Sequence, residues 1–78
     1  MENKEKLLDI LKNLCTIQNE ISEYFGEFEQ LGEPISELSE IIIKEYGKSL
    51  DDDLIFEQLM NFGDGDISKN KLLSKYLK

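Results

Sequence analysis

The side chains able to do chemistry are few. Histidine and arginine are absent, and Cys15 is the only cysteine. That removes the usual zinc ligand sets and the serine–histidine and cysteine–histidine pairs that activate nucleophiles. What remains is carboxylate chemistry, in the acidic turns Asp51-Asp52-Asp53 and Gly63-Asp64-Gly65-Asp66 and in a run of glutamates. Carboxylates crowded in a turn can hold a hard cation, but neither turn supplies the roughly six to eight oxygens that calcium takes. The expectation is therefore a protein that is not an enzyme and uses no cofactor or metal.

The glutamates point instead to an electrostatic surface. The net charge is −8, and no basic residue falls between Lys12 and Lys44, where Glu20, Glu23, Glu27, Glu29, Glu33, Glu37 and Glu40 all lie. The last ten residues reverse the sign, with Lys69, Lys71, Lys75 and Lys78 and no acid. Such a balance argues against nucleic acid as a partner. An acidic face of this kind attracts a basic helix and speeds its association.

With 78 residues the chain makes one domain, close to the smallest size at which a core holds without staples. A lone cysteine forms no internal disulfide, suits a reducing compartment and reads as a small buried apolar group. No apolar run approaches the roughly 20 residues of a membrane span, and no signal peptide opens the sequence. A cytoplasmic protein, monomeric when free, is expected.

The elements that must carry these groups are helices. Leu7, Leu8, Ile10, Leu11 and Leu14 recur at helical spacing behind Asn3. The polar and β-branched stretch Cys15–Asn19 predicts a break, followed by a second helix from Ser22 to Leu31 with Tyr24, Phe25, Phe28 and Leu31 as its apolar stripe. Gly32-Glu33-Pro34 predicts a stop, because proline cannot continue the ladder. Ser36 then reads as the cap of a third helix, with Leu38, Ile41, Ile42 and Tyr46 inward. Asp51-Asp52-Asp53 suits the start of a fourth helix through the macrodipole. That helix carries Leu54, Phe56, Leu59 and Met60, and a last one starts near Ser68 with Leu72, Leu73, Tyr76 and Leu77.

A weak internal echo accompanies this pattern: Phe28-Glu29-Gln30-Leu31 recurs as Phe56-Glu57-Gln58-Leu59. The stretch Phe56 to Leu72, with Asp64-Gly65 at loop positions five and six and Ile67 at eight, resembles an EF-hand. Its ligand positions one, three, five and twelve hold Met60, Phe62, Asp64 and Lys71, a set that cannot coordinate calcium. The stretch Leu31-Gly32-Glu33-Pro34-Ile35-Ser36 to Ile41 resembles the linker between the hands of calmodulin and the myosin light chains. In that register a first hand covers about 4–31, with Lys12, Leu14 and Glu23 at loop positions one, three and twelve. A second covers 36–62, and 63–78 forms a C-terminal turn and helix.

The resemblance implies an all-α fold, one calmodulin-like lobe of paired EF-hand-like units with degenerate loops. It also implies a function: calcium-independent binding of a basic amphipathic IQ-type helix in an unconventional myosin heavy chain, in a cytoskeletal setting. Phe25, Phe28, Leu38, Ile41, Ile42, Leu59 and Met60 would line the groove, and Glu27, Glu29, Glu33, Glu37 and Glu40 its acidic rim. Two alternatives stay open. One is a small acidic inhibitor or immunity protein that blocks a basic active site. The other is an acyl-carrier-like domain, for which Ser36 lacks the preceding aspartate of the prosthetic-group motif.

Overall fold

A computed structural model describes residues 3–26, 29–48 and 51–78. Among them are four helices and no strand: α1 (Asn3–Phe25), α2 (Gly32–Tyr46), α3 (Asp52–Gly63) and α4 (Lys69–Lys75). The all-α expectation is met. α1 packs on both α2 and α3, α2 packs on α3, and the short α4 folds back on α3.

The expected break at Cys15–Asn19 does not occur, and α1 runs unbroken to Phe25. The cause is Cys15 itself. Counted as apolar, it continues the inward series Leu8, Leu11, Cys15, all three buried. β-branched residues such as Thr16 and Ile17 cost only a few tenths of a kcal/mol each in a helix, too little to interrupt that packing. A loop at 12–23 is thus replaced by helix, and the first EF-hand-like unit expected over 4–31 is overturned. Ser22 does not cap a second helix; its carbonyl accepts from Gly26 N–H at 2.9 Å as α1 ends. Phe28 lies outside the described residues.

Gly32-Glu33-Pro34 also behaves differently from the expectation, opening α2 instead of stopping a helix. Proline in the first turn loses nothing, because its missing N–H has no intrahelical partner there. The first turn closes with Ile35 N–H on the Leu31 carbonyl at 3.0 Å. Ser36 is consequently a helical residue and caps nothing, whereas Ser39, fully buried, donates to the Ile35 carbonyl at 2.8 Å.

The second half follows its sequence signals closely. The Asp51 side chain accepts from Asp53 N–H at 2.9 Å and caps α3, and Asp52 and Asp53 fill the first turn, where the dipole favours anions. Gly65, at a φ of +87°, turns the chain between α3 and α4. Ser68 then caps α4 by accepting from Lys71 N–H at 3.1 Å.

Past α4, Tyr76 and Leu77 bury themselves and the chain end pairs with the α2–α3 connection. Gly47 and Leu77 form an antiparallel bridge, Lys48 N–H donates to the Tyr76 carbonyl at 3.0 Å, and Lys78 N–H to the Tyr46 carbonyl at 2.6 Å. Ile67, at position eight of the EF-hand-like loop, has no part in this bridge. The Lys4 ammonium donates to the Lys78 carbonyl and Lys69 pairs with Asp9 at 2.6 Å, so both ends of the chain are tied together. The core joins Leu8, Leu11 and Cys15 to Ile35, Ile42, Ile55, Leu59, Phe62, Leu72, Tyr76 and Leu77.

Candidate functional site

Two of the seven residues expected to line a groove cannot do so in this fold. Ile42 and Leu59 are wholly enclosed in the core. They hold α2 and α3 together, and a domain of this size needs them for that purpose. Leu38 and Met60 are half-buried against the same core, and Ile41 and Phe25 are exposed. Phe28 and Glu27 fall outside the described residues. Glu29, Glu33, Glu37 and Glu40 are all exposed. Among the described residues the four glutamates thus face solvent, while the six apolar positions range from wholly enclosed to exposed.

The degenerate loop positions are equally dispersed. Met60 and Phe62 are helical residues of α3, and Lys71 is an exposed residue of α4. Phe62 is buried; its carbonyl accepts from the Lys12 ammonium at 3.2 Å, and that ammonium stands 4.9 Å from its ring centre. Asp64 accepts from the Asn19 side chain at 3.5 Å. Among the described residues no three carboxylate or thiol groups converge as a metal ion would require.

The interior chemistry is similarly quiet. The Cys15 thiol is pushed above its ordinary range, mainly by burial and then by the nearby Asp64 carboxylate, with Lys12 opposing. A nucleophilic thiol needs the opposite shift. A cavity of about 270 Å³ beside it is lined by Gln18, Asn19, Ser36 and Met60, with the Gln18 side-chain Oε1 lacking a hydrogen-bond partner. Ser36 lies within α2, half-buried. A wider cleft of about 510 Å³ separates α2 from α3 and is bordered by Glu40, Ile43, Lys44, Asp52, Asp53 and Phe56.

The surface is more informative. Tyr24 and Phe25, at the C-terminal end of α1, are 83% and 81% exposed. Around them in sequence stand Glu20, Glu23, Glu29 and Glu33, all exposed and with no cation among them. The sequence pattern placed Tyr24 and Phe25 in the apolar stripe of a separate helix, with Phe25 also among the groove residues. The available contrary signal is the inward series Leu8, Leu11, Cys15, whose continuation falls on Gln18 and Ser22. Extended in phase, it leaves Tyr24 on another face. Comparison with family models, with curated proteins and with solved structures found no match.

Proposed function

We propose that this chain is a non-catalytic binding module that engages a basic amphipathic segment of another protein, without calcium. The observation that supports the reading is the pair Tyr24 and Phe25, more than four-fifths exposed in a stretch of sequence with exposed glutamates at 20, 23, 29 and 33 and no basic residue between Lys12 and Lys44. Large aromatics left in water at a charged surface mark contact sites, because burying them on binding releases hydrophobic free energy. The glutamates steer a basic partner and select against acidic ones. The linker-like stretch Leu31 to Ile41 adds the neck helix of a myosin heavy chain as the most specific form of this reading. With the first EF-hand-like unit gone, that likeness rests on the linker and on the α3–turn–α4 unit.

A second reading is favoured by the same aromatic pair. It stands at the end of a helix instead of inside a groove, a shape that suits insertion into a basic pocket of an enzyme to be inhibited. Both readings share the acidic surface and differ in who supplies the concavity. Calorimetric titration with a basic IQ-type peptide tests the first: binding should weaken tenfold or more when Tyr24 and Phe25 are both replaced by alanine. Affinity that survives that double replacement and also ignores added salt would sink the proposal.

A further inference from the structure

The inward line of α1 does not end at Cys15. Continued in phase it passes through Gln18 and Ser22 to Phe25, which stands seven residues beyond Gln18 and so on the same side of the helix. Leu8, Leu11 and Cys15 are enclosed, Gln18 is half-buried and Phe25 is exposed. The core runs out along this line, and it does so at Gln18. There the cavity of about 270 Å³ opens among three helices, with Cys15 and Gln18 from α1, Ile35 and Ser36 from α2, Met60 from α3 and Asp64 just past it.

Two features of this cavity point to its occupant. The Gln18 Oε1 atom is closed off from solvent and has no hydrogen-bond partner. Buried polar atoms are almost always paired, so this acceptor is left for a donor that enters the cavity. The second feature is charge. Among the described lining residues Asp64 carries a carboxylate and none carries a cation. Asp64 also borders a neighbouring hollow with Glu20, Glu23 and Lys12. The Lys12 ammonium is already engaged by the Phe62 carbonyl and ring, which leaves the carboxylates in excess. Size narrows the choice further. Sites for small organic ligands span about 300–1,000 Å³, and this cavity falls below that range, at the scale of one side chain.

We infer that the cavity receives a single arginine side chain of the basic partner segment, its guanidinium donating to Gln18 Oε1 and to the Asp64 carboxylate. The inference rests on the binding role proposed above and supplies its anchor. A guanidinium holds its N–H donors in a rigid plane, so one group can serve two acceptors from different segments at once. Its methylene stem would lie along Ile35 and Met60. An ammonium is a compact, strongly hydrated charge, poorly suited to a neutral amide oxygen beside apolar walls. A water molecule held by Gln18 would give no preference among basic side chains, which makes the two occupants separable. From this anchor the partner backbone would reach Phe25 about 10 Å further along the same line, at 1.5 Å per residue.

The test titrates the full chain with synthetic amphipathic peptides of leucine and lysine in which one lysine at a time becomes arginine. At least one such replacement should tighten binding about fivefold or more. Q18L and D64N should each reduce that gain to less than about twofold, because each removes one acceptor. Leucine at position 18 replaces an unpaired polar atom instead of a packed apolar one, so Q18L keeps the fold. In the unmodified protein the Gln18 side-chain amide and the Met60 methyl should shift most on adding the arginine peptide, a readout that needs no variant. No gain at any position, with the all-lysine peptide still bound, would overturn the anchor and leave the basic-partner role intact. Binding of no peptide would overturn both. A gain that survives either replacement, or shifts centred away from Gln18 and Met60, would overturn the inference as stated.

Discussion

Leu11 and Ile17 belong to one helix and are comparable in size and apolarity, yet the fold encloses the first and leaves the second half in water. The difference is angular. Leu11 lies in line with Leu8 and Cys15, inside the core, whereas Ile17 lies in line with Ile10 and Tyr24, on a side of α1 that the core leaves partly uncovered. A helix with two apolar lines but neighbours enough for one teaches that exposure here follows from the packing partners available and not from residue type.

The sharpest way to break this comparison is to truncate both positions. L11A should destabilise the protein by about 2–5 kcal/mol, since the transfer and cavity terms add at an enclosed site. I17A should cost under about 1 kcal/mol, nearly half of the residue being already solvated. Urea denaturation of the two variants measures the gap, and equal losses would erase the distinction between the two lines.

A smaller effect probes how tightly the inward line is filled. A Cβ placed on Gly63 would come within 2.4 Å of the Cys15 sulfur. G63A should therefore cost about 1–3 kcal/mol through overpacking. Combining it with C15A should restore part of that loss, a non-additivity that a double-mutant cycle reads directly. Additive losses would mean that α1 and α3 do not meet at this point.

The smallest expected effect is electrostatic and also belongs to the inward line. Burial raises the Cys15 thiol above its unfolded value. The protonated form is the one the fold favours, so the contribution is complete at neutral pH and below, and is lost as pH climbs through the raised value. Urea midpoints should decline on the alkaline side, and C15A should flatten that part of the profile. Alkylation of the native thiol should also lag behind that of the unfolded chain. Immediate labelling of the folded protein would place Cys15 at the surface.

Legibility in the sequence differed between the two halves of the chain. Asp51, Gly65 and Ser68 act locally, through a side-chain cap or a single positive φ, and their roles were readable without a fold. Gly32-Glu33-Pro34 was misleading because proline is a stop inside a helix and harmless in its first turn, and only the position of Ile35 in the core decides which applies. The acidic surface was readable as composition. Phe25 could be picked out beside those glutamates, but its exposure and that of Tyr24 could not, since an apolar residue on a helix looks the same whether a neighbour covers it or not.

Composition and periodicity alone thus determined the helical class, the absence of histidine-based chemistry and a glutamate stretch without cations. These depend on residue identity and short-range spacing. Tertiary structure alone decided that Cys15–Asn19 continues α1, that Ile42 and Leu59 serve the core, and that Ile10, Ile17, Tyr24 and Ile41 remain in solvent. Those outcomes turn on which of several apolar lines finds a partner helix. That choice is made between segments distant in the chain, by the area each pairing removes from water.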